Sequence, residues 1–214
     1  MSSSEPCDLA MGLAGGYLIG SIPASFLIAK AFGVDIRTIG SGNVGATNVL
    51  RALGPKAGIP AVLCDAGKGV AAVLLARWLL PGGGPLGPVV FPLLCGFTAV
   101  LGHSFTFWLR FKGGKGVATG AGMFAALAPV PLAGSLAVFA LVVALTRYVS
   151  LASMTAALAL NVFIALWMPE SRVALMSVAL PLALFVCFRH RDNIRRLRAG
   201  TESKLGQSST GGAP

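Results

Sequence analysis

The sequence predicts an all-α integral membrane protein with about seven transmembrane helices, its N-terminus outside and its C-terminus in the cytoplasm. Three observations carry that prediction. Of the 214 residues, 55% are hydrophobic and 11% charged, with a mean hydropathy of +0.80, whereas a soluble domain carries about a quarter charged residues. Apolar runs near the ~20 residues that cross a bilayer recur along the chain. The basic residues, finally, crowd onto alternate loops.

The first apolar segment, about 9–29, follows the acidic stretch "MSSSEPCDLA". A secretory signal would begin with a basic region and carry a shorter apolar core, so this segment reads as a retained helix. Its Gly12, Gly16 and Gly20 recur every four residues, a small-residue face suited to close helix packing. The second segment, 59–80, contains Asp65 and Lys68, and the third, 88–108, carries His103 near its end. The fourth and fifth, 116–129 and 131–146, are short and meet at "APVPL". There Pro129 and Pro131 either turn between two helices or break one. Segments 150–168 and 173–189 complete the set. The loops are too short for a separate domain, so residues 1–206 read as one polytopic unit and 207–214 as a disordered tail. Cys7, Cys64, Cys95 and Cys187 are scattered without metal-ligand spacing, and no metal or organic cofactor is implied.

The net charge of +10 could reflect membrane topology or an anionic substrate. With seven spans, 14 of the 17 basic residues lie on one side, which the positive-inside rule makes cytoplasmic. Those same segments hold the unusual glycine-rich stretches. "IGSGNVGATNVLRALG" frees the backbone at Gly40, Gly42 and Gly45, so that amides can converge on an anion. Ser41, Asn43, Thr47 and Asn48 add neutral hydrogen-bonding groups, and Arg51 follows Thr47 by four residues, on the same helical face. "FKGGKGVATG" at 111–120 is not a P-loop, because no Ser or Thr follows Lys115. It reads as a glycine-rich turn (Gly113, Gly114, Gly116) entering a helix whose N-terminus favours phosphate, with Lys115 as a point charge. Lys112 serves either that site or the membrane surface.

Asp65 and Lys68 share a helical face inside a span, where ionisable groups are costly and mark function or a self-neutralising pair. Ser150 and Ser153 begin a helix after Arg147 and could cap it or line a site. At the end of the last span, His190 and Asn193 share a face, and Glu202 follows. Most of the arginines there read as lipid-facing, a basic stop at a helix end.

Together these stretches resemble the bacterial acyl-phosphate-dependent glycerol-3-phosphate acyltransferases of the PlsY type. The resemblance covers about residues 12–205 and rests on "GSIP" at 20–23, "GSGNVGATN" at 40–48 with Arg51, and Asp65 with "KG" at 68–69. It continues through "GH" at 102–103, "FKGGKGVAT" at 111–119, and the pattern from His190 to Glu202. It implies transfer of a fatty acyl group from acyl-phosphate to glycerol 3-phosphate, giving lysophosphatidic acid and phosphate at the cytoplasmic face of the bacterial inner membrane. It implies catalytic roles for Ser41, Arg51, Lys115, His190 and Asn193. Gly42, Asn43, Thr47, Asn48, Lys112, Gly113, Gly114, Gly116, Ser150 and Ser153 would bind substrate, with Asp65, Lys68, His103 and Glu202 in support. The partners are then the two substrates, membrane lipid and a soluble enzyme that makes acyl-phosphate; nucleic acid is not among them. No H-x-x-x-x-D pair occurs, since Trp108 lies five residues after His103 and Arg195 five after His190. The alternative function is transport of a phosphorylated metabolite, because broken helices also build anion sites.

Overall fold

The computed structural model describes residues 5–206, and all regular elements among them are helical. The tail 207–214, expected to be disordered, lies outside the described residues. Helices α1 (Glu5–Ser21) and α2 (Ala24–Ala31) form one apolar stretch of 27 residues, interrupted at Ile22–Pro23. Proline lacks an N–H and breaks the ladder, so nearby carbonyls need other donors. Thr106 Oγ1 donates to the Ser21 carbonyl at 2.5 Å and Lys68 Nζ to that of Ile22 at 2.9 Å.

Helix α3 (Ala46–Leu53) follows the glycine-rich linker, and α4 (Pro55–Leu79) starts with proline at its first turn, where no intrahelical N–H is lost. Next come α5 (Gly87–Ser104), α6 (Val117–Leu127) and α7 (Pro129–Thr146). The chain then forms α8 (Val149–Trp167), α9 (Arg172–Arg189) and α10 (Arg191–Arg198).

Six of these stretches are long and apolar enough to cross a membrane. The segment expected at 116–129 forms the 11-residue α6, about 16 Å long at 1.5 Å per residue, against a hydrocarbon core of ~30 Å. "APVPL" is a junction of two helices: Ala128 leaves helical geometry at φ −146° and Pro129 opens α7.

Small residues let the backbones meet. A Cβ on Gly16 would lie 2.4 Å from the Cys95 carbonyl oxygen, and one on Gly20 2.0 Å from that of Ala99. The glycine stripe of α1 is therefore the seam against α5, as its spacing suggested. Between α4 and α6 the same device recurs, with Gly69 against Thr119 and Gly122 against Ala66. The core below the functional end gathers Val100, Met123, Phe124, Ile164, Leu175 and Leu182. Outward, Leu63, Leu145, Leu166 and Val173 are 65–83% exposed, an apolar surface made for lipid. Gly20→Ala is expected to lower stability by about 1–3 kcal/mol through overpacking. Gly67→Ala, which meets nothing within 4 Å, should be neutral or stabilising by up to ~1 kcal/mol. Thermal unfolding of both variants in detergent checks the pair.

Candidate active site

The linker before α3 is shaped by one side chain. Gly40 and Gly42 adopt φ +60° and +66°, the left-handed region that glycine enters freely. Asn48 then clamps the turn: its Oδ1 accepts the Ser41 N–H at 3.2 Å, and its Nδ2 donates to the carbonyls of Ile36 and Ile39 at 3.1 and 2.9 Å. Ser41, Asn43, Thr47 and Asn48 consequently line one cavity, with Arg51 one turn further along α3. Arg51 Nη2 donates to the Ser203 carbonyl at 3.0 Å, while its Nε is buried without a partner among the described residues.

The second wall is the turn into α6. Gly116, at φ +80°, redirects the chain so that Lys115 stands at the helix N-terminus, where free amides and the dipole favour an anion. Lys115 Nζ makes a short hydrogen bond to Asn193 Oδ1. The amides of Gly113 and Gly114 are already taken, bonded to the Ser104 and His103 carbonyls at 3.1 Å each. Their own carbonyls accept from Arg189 Nη2 at 3.0 and 2.8 Å. Those two glycines thus shape the loop instead of offering amides to the cavity. Gly42 and the exposed Lys112 also stand outside its lining.

The third wall comes from α8, α9 and the C-terminal strap 201–206. Glu202, 5% exposed, accepts from Asn193 Nδ2 at 2.7 Å, Ser150 Oγ at 2.8 Å and Arg196 Nε at 2.8 Å. Burial works against its ionised form, but these donors outweigh it and hold the carboxyl below the ordinary range. Arg147, at φ +61°, fastens the strap by donating to the Leu205 carbonyl from Nε and Nη2 at 3.0 and 2.7 Å. Ser153 bonds back to the Val149 carbonyl at 2.8 Å, and both it and Ser150 line the cavity. His190 Nδ1 sits 2.8 Å from the Val186 carbonyl, which fixes the proton there and leaves Nε2 with its lone pair. Burial, together with Lys115, pushes this imidazole down to about 4.

Charge is the dominant feature. Burial lowers the Lys115 ammonium to about 8; Glu202 opposes the shift, while Arg196, Arg51 and Arg189 reinforce it. Arg51 is lowered as well, mainly by burial. The reading of the tail arginines as lipid-facing is corrected for two of them: Arg189 holds the glycine loop and Arg196 the strap. Position at a helix end cannot tell such inward arginines from lipid-facing ones.

From this polar mouth the cavity, about 290 Å³, continues into an apolar groove between α6, α7, α8 and α9. Phe124, Leu132, Leu136, Phe139, Leu160 and Leu182 line it. Alanines and leucines at helical spacing carry no functional signal in a membrane sequence, so this half of the site was not legible. Asp65 and His103 also border the cavity, whereas Lys68 stands behind them.

Comparison with known proteins gives a consistent picture. The family model described as "Glycerol-3-phosphate acyltransferase" matches residues 10–200. The protein of that name from Geotalea daltonii is 49% identical over 189 residues, 88% of this chain and 93% of its own. That of Thermus thermophilus is 45% identical over 198 residues, covering 89% and 92%. Among solved structures, PlsY (YgiH), described as an integral membrane glycerol 3-phosphate acyltransferase, superimposes in its glycerol 3-phosphate form with a TM-score of 0.84. The two are 37% identical, with 92% of this chain and 96% of that one covered. Its lysophosphatidic acid form gives 0.81 at 36% identity.

Glu202 yields a pH test. A depressed folded pKa contributes stability that is present above the unfolded value, 4.5, and is lost as pH falls through the folded one. Unfolding in detergent from pH 7 to 3 is expected to show that acid loss in the wild type. Glu202→Gln should lack it and be about 1–3 kcal/mol less stable at pH 7.

Proposed function

Because the chain belongs to the glycerol-3-phosphate acyltransferase family, multi-pass membrane enzymes of phospholipid synthesis, we propose that it draws its acyl group from acyl-phosphate. The acceptor is the sn-1 hydroxyl of glycerol 3-phosphate, and the products are lysophosphatidic acid and phosphate. One observation carries this reading: a crowded cationic mouth opens directly into an apolar groove. Such a shape suits a donor with an anionic head and a fatty tail, meeting a small anionic acceptor from water. The site would face the cytoplasm of the bacterial inner membrane, as the loop charges indicate, and the N-terminus would lie outside with the short α6 serving as the seventh crossing. Residues 1–206 act as one catalytic unit. The exposed Arg191, Arg195 and Arg198 of α10 offer anionic lipid, or the enzyme that makes the donor, a basic surface.

The chemistry follows from the charges. Two unit anions about 5 Å apart repel by about 3 kcal/mol at an effective dielectric near 20. Two dianions would then repel by roughly 13 kcal/mol. Arg51 suits a bidentate phosphate contact and Lys115 a point-charge one, and together they offset this repulsion. The acceptor oxygen attacks the acyl carbonyl carbon, the carbon–oxygen bond to phosphate breaks, and phosphate leaves with the electron pair. An imidazole at about 4 is a weak base at neutral pH. His190 Nε2 therefore orients the hydroxyl by accepting its hydrogen bond, and the proton ends on the departing phosphate. Ser41 and Asn193 serve as neutral donors to the developing oxyanion, while Asn43, Thr47, Asn48, Gly116, Ser150 and Ser153 shape the pocket. Holding the tail in the groove positions the donor, a rate contribution independent of any covalent intermediate.

The purified protein, given acyl-phosphate and glycerol 3-phosphate, is expected to release phosphate and lysophosphatidic acid in equal amounts. Product only from acyl thioesters would overturn the donor. Flux of glycerol 3-phosphate across liposomes without acylation would favour a transporter. A groove-filling change tests the apolar half: a Cβ at Gly120 would already lie 3.1 Å from Leu182 Cδ2. Gly120→Leu should raise KM for the acyl donor roughly tenfold or more and leave KM for glycerol 3-phosphate unchanged.

A further inference from the structure

The loop between α5 and α6 carries a set of side chains that the chemistry above does not use. Residues Phe107–Leu109 make one short helical turn, after which Arg110 and Phe111 both take left-handed backbone, at φ +52° and +61°. Bulky residues rarely enter that region, because Cβ crowds a neighbouring carbonyl there. The turn is held from within. The Phe111 N–H donates to the Thr106 carbonyl at 2.8 Å and the Lys112 N–H to that of Leu109 at 3.1 Å. Thr106 is itself tied to the Ser21 carbonyl, and Leu109 packs against the buried cluster that includes Ala29 and Val44.

What this frame leaves outside is aromatic and basic. Trp108 and Phe111 are 64% and 61% exposed, and the Phe107 ring lies 4.6 Å from that of Trp108. Arg110 and Lys112 are exposed as well, and neither side chain makes a hydrogen bond or ion pair among the described residues. Other exposed cations of this end are already engaged: Arg37 pairs with Asp35, Arg195 with Asp192, and Arg191 lies over the Phe188 ring. The level of the turn follows from three span ends. The apolar stretch that contains α5 runs from Gly84 to Leu109 and so finishes inside it. Leu109 meets the cluster around Ala29, two residues before the first stretch ends at Ala31. Arg189, the last residue of α9, donates to the Gly113 and Gly114 carbonyls just beyond Lys112. Where three spans stop together, hydrocarbon gives way to lipid headgroups.

Tryptophan at that level sits among the headgroups. Cations beside it without a carboxylate partner complement lipid phosphate, which arginine binds through paired N–H groups and lysine as a point charge. Strained backbone persists only where its surroundings over-determine it, and it marks functional segments. Glycine would meet both φ values freely, yet the chain places a guanidinium and a phenyl ring there.

We propose that the 107–112 turn binds the headgroup of an anionic phospholipid, with Trp108 and Phe111 seated in the interface and Arg110 and Lys112 on the lipid phosphate. The site is separate from the cavity, whose lining contains none of these four residues, and it does not depend on which acyl donor the protein uses. A lipid held there fastens one end of the loop that carries Lys115 at the other.

The chain has three tryptophans, so Trp78→Phe with Trp167→Phe leaves Trp108 as the single fluorophore. This protein is placed in phosphatidylcholine nanodiscs containing a rising share of brominated phosphatidylglycerol or, separately, brominated phosphatidylcholine, with the bromines near the headgroup. Each cation near an anionic surface contributes about fivefold, so half-maximal quenching is expected at a roughly tenfold lower share of the anionic lipid. Arg110→Gly, which keeps the left-handed turn without strain, combined with Lys112→Gln, should erase that difference while both lipids still quench. Equal quenching by the two lipids with Arg110 and Lys112 in place would overturn the proposal, because the turn would then read no charge. A Trp108 that neither lipid quenches would overturn it too and assign the exposed face to a protein partner in water. A preference that survives in the Arg110→Gly, Lys112→Gln protein would refute the assignment to those two cations. The measurement needs no turnover, so its result stands apart from that of the acylation assay.

Discussion

The rest of the site depends on the crowding of Arg51, Lys115, Arg189 and Arg196 around a single carboxylate, Glu202. Burial is the largest cause that holds Lys115 at about 8, and the like charges of Arg196, Arg51 and Arg189 reinforce it. Such a cluster survives only if each cation is anchored by something rigid. Arg189 is tied to the glycine loop, Arg196 to Glu202, Arg51 to the strap, and Lys115 to Asn193. Glu202 in turn takes three donors from two elements, α8 and α10. The protein thereby stores a deficit of negative charge, which under the proposed reaction an incoming phosphate would relieve.

The membrane supplies the other half of the design. Glycine seams bring α1 to α5 and α4 to α6 at backbone contact, so those helices form a tight frame. The short α6 delivers Lys115 at one end and Phe124 toward the other, which makes it the shared wall of the polar mouth and the apolar groove. Under the proposed reaction one element would contact both the head and the tail of the substrates, so a shift of α6 would disturb the two together.

Much of this was legible in the sequence, and the limits have physical causes. Apolar runs located the helices because lipid demands them. Pro23 breaks the first stretch through its missing N–H, a local signal that the apolar run hides, and α6 ends after 11 residues where Ala128 leaves helical geometry before Pro129. Ser41, Arg51, Lys115, His190 and Asn193, singled out from three distant stretches, border one cavity. Gly113 and Gly114 were expected to bind substrate, yet their N–H groups close a turn onto α5. Arg189 and Arg196 looked like an ordinary basic stop because a helix-end arginine turns inward only when a carbonyl or carboxylate waits there. The groove was silent, being made of residue types that every membrane helix contains.

The charge deficit itself is measurable. Selective isotope labelling of the lysines, with Lys115 assigned through Lys115→Arg, gives its titration curve in the empty protein and with inorganic phosphate bound. A midpoint near 8 without ligand, rising when phosphate neutralises the surrounding cations, is the result this account predicts. A midpoint at the ordinary 10.5 in the empty protein, or one that phosphate does not move, would contradict it.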